Sequence, residues 1–275
     1  MSLKNKLAIA AVTDTGRVRE HNEDAISTNA DTGMVVLADG MGGYNAGEVA
    51  SGIAVKTVYD LTTEACAREK RHERHADTGL MRQTTVLRDA ISRANKIIHQ
   101  TAHSQEACSG MGTTIVAGMF FDNRVSVAHV GDSRLYRLRK NKLERVTLDH
   151  SLLQELVDRG FYSRQEAERS TNKNYVTRAL GVDNVVQVEV QELAVEPGDV
   201  YLLCSDGLSD MVDDEEIHLT IKTFSASLDK VAEQLVKLSN EHGGKDNISV
   251  MLIQVLEPFP AKTGLLSMLR KLIGR

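Results

Sequence analysis

The residues best placed to do chemistry are acids in four short motifs. They are Arg19 with Asn22-Glu23-Asp24, Asp39-Gly40-Met41-Gly42-Gly43, Ser205-Asp206-Gly207, and Asp246-Asn247. Each can present a carboxylate at a strand end or a tight turn. A fold that gathers them makes an oxygen-only pocket suited to two hard divalent cations. Gly40, Gly42 and Gly43 let the backbone turn tightly and offer carbonyl oxygens. Asp132, in Gly131-Asp132-Ser133, repeats the design. Gathered without cations, such acids repel and raise one another's pKa. Arg19 adds a guanidinium whose fork matches two phosphoryl oxygens. Cations and an arginine, with no evident side-chain nucleophile, point to hydrolysis of a phosphate ester by metal-activated water. Alone, Asp39 reads as well as a turn cap, and Arg19 as a surface partner of Glu20 or Glu23.

Other chemistries fit less well. Cys66, Cys108 and Cys204 are few and widely spaced, which argues against a disulfide framework and for a reducing compartment. None begins a Cys-x5-Arg loop. No Gly-x4-Gly-Lys-Ser/Thr occurs, and Gly131-Asp132 is not followed by the x-His-Gly of calcineurin-like metallophosphatases. The net charge of −5 argues against nucleic acid as a partner. The apolar run Leu7 to Val12 is too short for a signal-peptide core, and no stretch approaches a membrane span. A cytoplasmic monomer is expected.

The positioning elements follow from periodicity. With 275 residues, 41% hydrophobic, the chain can bury a large core. Ala8 to Val12 and Met34 to Ala38 read as strands. Ala46 to about Glu69 and Thr84 to about His103 read as amphipathic helices. Thr113 to Phe121, Arg124 to Val130 and Arg134 to Arg139 read as strands, with Asp122-Asn123 and Lys140-Asn141 as hairpin turns. Ser151 to Gly160 reads as a short helix and Val185 to Leu193 and Val200 to Cys204 as strands. Asp213 to Thr223 and Leu228 to Glu241 read as helices, and Ile248 to Leu256 as a closing strand. Tight turns imply antiparallel pairing, and two helix pairs can cover opposite faces of a β-sandwich.

Taken in order, these pieces resemble the protein phosphatase 2C (PPM/PP2C) family of metal-dependent serine/threonine phosphatases, in its bacterial form. Gly112-Thr113-Thr114, Val130-Gly131-Asp132-Ser133-Arg134, Asp149-His150-Ser151 and Thr177-Arg178-Ala179-Leu180-Gly181 complete the ordered set. The resemblance spans about residues 8–256. It implies an α+β fold, a four-layer α-β-β-α sandwich of two central antiparallel sheets flanked by helix pairs. It also implies two Mn²⁺ or Mg²⁺ ions, with Asp39 bridging them, the Gly40 carbonyl on the first, and Asp206 and Asp246 on the second. A weaker third ion would take Asp132 with Asp206. Glu23, with Asp24 and Asn247, would act from the outer shell, and Arg19 would grip the phosphate. The implied catalytic set is Arg19, Asp39 and Asp206, with a metal-bridging hydroxide as nucleophile. Met41 stands where eukaryotic members often carry His, so no side chain is named as general acid. The implied substrates are phosphorylated proteins, and the implied partners are a cognate Ser/Thr kinase and its targets. A catalytically silent binding module and a phosphatase of small phosphomonoesters are the alternatives.

The domain is expected over 1–257, with a flap at about 151–174 that reads either as a substrate selector or as a plain surface connection. His72-Glu73-Arg74-His75 lacks zinc-site spacing and reads as a solvated charged segment. The tail, 258–275, carries Leu265, Leu266, Met268, Leu269, Leu272 and Ile273 at helical spacing, flanked by Lys262, Arg270, Lys271 and Arg275. It reads as packing on its own domain, docking on a partner, or contacting an anionic membrane.

Overall fold

Strand alternation builds the fold. In β3 (Met34–Met41), Met34, Val36 and Ala38 face one way and Val35 and Leu37 the other, all buried. The first set packs against helices α1 (Ala46–Arg68) and α2 (Arg82–Ser104) through Ala50, Ala54, Leu87, Ile91 and Ile98. The second meets another sheet. A strand buried on both faces must sit inside a layered stack, and each large side chain so buried contributes about 1.5–3 kcal/mol. The computed structural model describes residues 3–42, 46–68, 74–75, 78–163, 166 and 175–260, without the side chains of 66–68.

One sheet runs β1 (Leu7–Asp14), β11 (Ile248–Val255), β10 (Val200–Cys204), β7 (Arg134–Arg139), β8 (Lys142–Arg145). The other runs β2 (Asp24–Asn29), β3, β5 (Ile115–Phe121), β6 (Arg124–Val130), β9 (Glu189–Ala194), and β4 (Gly112–Thr113) pairs with the end of β3. All these pairings are antiparallel. Between the sheets, Val35, Leu37, Val116 and Phe120 meet Leu135, Tyr201, Leu203 and Met251. Phe120 and Tyr201 stand edge to face with centroids 5.4 Å apart. On the far face of the first sheet, Leu202, Val250 and Leu252 pack on α5 (Asp214–Thr223) and α6 (Leu228–Glu241) through Ile217, Ile221, Val231 and Leu235. The four layers are helix, sheet, sheet, helix, as expected.

Asp122 (φ 48°), Asn123 (φ 56°), Lys140 (φ 48°) and Asn141 (φ 66°) occupy the left-handed region, which two-residue hairpin turns of the primed type require. Three elements differ from the sequence reading. Strand β2 has no apolar run, and every residue in it is partly or fully exposed. The run from Thr113 is two strands, because Thr114 leaves the ladder and donates its N–H to the Asp39 carbonyl at 2.9 Å. The strand expected over Val185 to Leu193 is formed only as β9. Two further helices are short: α3 (Leu152–Asp158), capped by Ser151, and α4 (Asp206–Ser209). Gly43, His72, Glu73, most of 164–174 and the tail from 261 lie outside the described residues. Among the described residues, no helix is long and apolar enough to cross a membrane.

Candidate metal centre

Antiparallel register brings the chemistry to one end of the sandwich. Asp24 opens β2 directly opposite Asp39 near the end of β3. Cys204 at the end of β10 pairs with Val250 near the start of β11, and with Arg134 at the start of β7. Asp206, Asp246 and Asp132 therefore leave their strands at a common edge, where β1 also ends, Asp14 opposite Ile248. The parity of β3 turns Asp39 to the same side as Val35 and Leu37, into the space between the sheets.

Asp39 is held by its backbone. The Asp39 carbonyl accepts from the Thr114 N–H and from Thr113 Oγ1 at 2.8 Å, while its own N–H donates to Thr114 Oγ1 at 3.1 Å. Gly40 donates its N–H to the Glu23 carbonyl at 3.1 Å. A Cβ on Gly40 would lie 2.2 Å from the Gly47 carbonyl oxygen, so only glycine lets α1 approach this turn. Asn247 ties down the Arg19–Asp24 loop. Its Nδ2 donates to the carbonyls of Thr15 (3.0 Å) and His21 (2.9 Å), and its Oδ1 accepts from the Glu23 N–H (2.8 Å). Ser205 Oγ donates to Asp24 Oδ2 at 2.9 Å and accepts from the Ser249 N–H at 2.9 Å. These serines were not anticipated as site residues.

The electrostatics are those of crowded carboxylates. Burial, then the charges of Asp24, Asp206, Asp132 and Asp246, push Asp39 well above the ordinary carboxylate range. Asp206 is raised likewise, by burial and then by Asp132, Asp210, Asp246 and Asp24. Burial lifts Asp24 to about 7, against hydrogen bonds from Ser249 and Ser205 that lower it. Asp132 is lifted to about 6, by burial and then by Asp149. Glu23 is raised by burial, with Arg19 opposing. Arg19 lies at the rim with Nη2 2.6 Å from Asp246 Oδ2, so the sequence alternatives, Glu20 and Glu23, are not its closest partner. Among the described residues, nothing donates a hydrogen bond to the buried Asp206 Oδ1 and Asp24 Oδ1. Unpartnered anionic oxygens among mutually repelling acids fit divalent cations of the oxygen-loving type.

A second cluster, His129, His150 and Glu189, lies beside Asp132, its possible ligand atoms within 4.8 Å of one another. The two imidazoles stack with centroids 4.7 Å apart. Burial lowers the pKa of both, that of His150 to about 4, where His129 and Arg178 add to the effect. Arg178 Nη1 already stands 3.0 Å from His150 Nε2 and 3.3 Å from Glu189 Oε1. A guanidinium thus fills the place a cation would take, and this cluster is not part of the carboxylate centre.

The family model described as "Protein phosphatase 2C" matches residues 15–252. The chain is 40% identical to the serine/threonine phosphatase stp of Listeria welshimeri, over 88% of this chain and 93% of that protein. Its fold is similar to the crystal structure of the Mycobacterium tuberculosis serine/threonine phosphatase PstP/Ppp, with a TM-score of 0.81, 33% identity, and coverage of 91% of this chain and 99% of that one. It is similar too to the catalytic domain of PstP in complex with two manganese ions, with a TM-score of 0.75, 35% identity and coverage of 91% and 99%. Acids from both sheets meeting at one edge, and a match spanning nearly the whole sandwich, lead to one assignment: this chain belongs to the protein phosphatase 2C family.

Proposed function

We propose that this chain is a metal-dependent phosphatase of phosphoserine and phosphothreonine in proteins, and that residues 1–257 form the catalytic unit. The observation that carries this reading is the convergence of Asp39, Asp206 and Asp246 from the ends of three strands in two sheets, with Asp206 Oδ1 buried and, among the described residues, unpartnered. Asp39, the Gly40 carbonyl, Asp206 and Asp246 would hold a pair of Mn²⁺ or Mg²⁺ ions, and Asp132 with Asp206 a weaker third. Such ions supply positive charge to phosphoryl oxygens and make water a better nucleophile at neutral pH.

The chain's own groups do the rest. Arg19, at the rim and about half exposed, can leave Asp246 and grip a phosphoryl group with two parallel hydrogen bonds. Glu23, packed on Gly47 and bonded through its carbonyl to the Gly40 N–H, and Asn247, which accepts the Glu23 N–H, tie the loop that carries Arg19 to the turn after Asp39. Asp24 stands beside Asp39 and, with its raised pKa, can keep a proton near neutral pH. Met41 has no proton to give, so leaving-group protonation must come from water or another group. A Ser/Thr kinase acting on the same proteins is the natural partner of such an enzyme.

The test is dephosphorylation of a phosphothreonine peptide with Mn²⁺, compared with a phosphotyrosine peptide and with EDTA. Turnover of the first alone, abolished by EDTA, is expected. Turnover that persists in EDTA would overturn the reading.

A further inference from the structure

Asp132 sits between two clamps, both supplied by the consecutive residues Asp149 and His150. On one side, the Gly131 N–H donates to His150 Nδ1 at 3.0 Å, and the His150 N–H donates back to the Gly131 carbonyl at 3.0 Å. On the other, Arg134 donates from Nε and Nη2 to the Asp149 carboxylate at 3.1 and 2.7 Å. Between them, Ser133 Oγ lies 2.7 Å from Thr114 Oγ1, which in turn holds the Asp39 N–H. Gly131 adopts φ +107°, and a Cβ there would stand 2.6 Å from Thr114 Cβ. The turn bearing Asp132 is therefore held on its Gly131 side by His150 and on its Arg134 side by Asp149, and Asp132 itself is buried.

The hydrogen-bond pattern decides the state of His150. A peptide N–H can only donate, so His150 Nδ1 must be bare, and the single proton of a neutral imidazole is then on Nε2. That proton goes to Glu189 Oε1, 3.0 Å away. Arg178 Nη1 stands 3.0 Å from the same Nε2, but two donors cannot share a hydrogen bond, and with Nδ1 taken by the Gly131 N–H the imidazole proton has no other nitrogen to occupy. The guanidinium and the imidazole instead converge on the same Glu189 oxygen, with Arg178 Nη1 at 3.3 Å. Glu189 is on β9, whereas Asp132 lies in the turn between β6 and β7, and Glu189 touches none of the carboxylate centre's acids among the contacts described. The Thr177 N–H donates to the His150 carbonyl at 2.8 Å, which brings Arg178 to this point.

We propose that Glu189, with Arg178, is a positioning residue for Asp132. By holding the proton of His150 on Nε2, it keeps Nδ1 free to fix the Gly131 peptide, and so fixes the carboxylate next to it. The proposal rests on the reading of Asp132 as ligand to a weaker third ion. Partners one shell out from a metal ligand commonly change affinity 10–100-fold when removed.

The experiment is calorimetric titration of the EDTA-stripped, dialysed protein with Mn²⁺, alongside the ¹H–¹⁵N resonance of Gly131. Glu189→Ala is expected to weaken the weakest Mn²⁺ step about tenfold, to leave the tighter steps unchanged, and to move the Gly131 amide resonance. Glu189→Gln, whose amide oxygen still accepts the Nε2 proton, should recover most of the affinity. His150→Asn supplies an amide oxygen near the Nδ1 position, so adding Glu189→Ala to it should have no further effect. A weakest step lost in Asp132→Asn but intact in Glu189→Ala overturns the relay alone, as does equal weakening of every step, the mark of a general structural defect. A weakest step that survives Asp132→Asn removes the ligand role of Asp132, and the proposal with it. Should Glu189→Ala not fold, Arg178→Met carries the same comparison, and an unchanged weakest step there would overturn the relay.

Discussion

At the scale of single residues, the centre opposes stability to function. Asp39 and Asp206 are held where burial and neighbouring acids both disfavour their charge. An amide in either place removes the repulsion but also a cation ligand. Asp39→Asn and Asp206→Asn should each lower Mn²⁺-dependent turnover by about 10²-fold or more, while raising the melting temperature of EDTA-treated protein above that of the parent. A melting temperature below the parent's would show that the carboxylates stabilise the fold directly. These acids were legible in the sequence because each carries its own glycine or asparagine signature. Thr114, Ser205 and Ser249 were not legible as site residues, because their role is defined by partners 75, 181 and 44 positions away: the Asp39 N–H, the Asp24 carboxylate and the Ser205 hydroxyl. Nothing local in a sequence marks such a bond.

At the scale of elements, close approach of backbones sets the geometry. The start of α4 and the loop before β11 must nearly touch for Asp206 and Asp246 to share a site. A Cβ on Gly207 would stand 2.1 Å from the Asn247 carbonyl oxygen, and Ser239 of α6 braces the same point by donating to the Gly207 carbonyl at 2.6 Å. Gly207→Ala should separate the two loops and weaken Mn²⁺ binding, with helix and strand content unchanged by circular dichroism. Gly52 is the internal contrast. It lies inside α1, and an added Cβ would meet nothing within 4 Å. Gly52→Ala should add about 1 kcal/mol of stability, and hence about 2 °C in melting temperature, with Mn²⁺ affinity unchanged. The hairpins at Asp122-Asn123 and Lys140-Asn141 could be read in advance, since their turn chemistry is local. Strand β2 could not, because Asp-Ala-Ile-Ser-Thr-Asn pairs through register with β3 and not through an apolar pattern of its own.

At the scale of the whole molecule, the layer order was legible from periodicity, because helices and strands each bury one regular set of side chains. The edge where the acids meet follows from antiparallel register, which no local pattern states. That edge should govern how stability depends on pH and metal. A carboxylic acid whose pKa is higher folded than unfolded binds more protons in the folded state, so stability falls as pH rises between the two values. Asp132 does so from near 3.8 to about 6, and Asp24 to about 7. Asp39 and Asp206 continue beyond the ordinary range. His129 and His150 oppose this, because their lowered values make the folded state gain stability as pH rises toward 6.5. The two effects overlap below pH 6.5; above it the unfolded histidines lose their remaining charge within about one pH unit, while the acids with the highest values continue to act. EDTA-treated protein should therefore lose melting temperature from pH 6.5 to 8, and Asp39→Asn should flatten that slope. Saturating Mg²⁺ should abolish it, because cations compete with protons for the same oxygens. At a free concentration 100 times the dissociation constant, the ion should add about 2.7 kcal/mol. A metal-free melting temperature that is constant or rising between pH 6.5 and 8 would mean that the acids do not crowd in solution as they do in this fold.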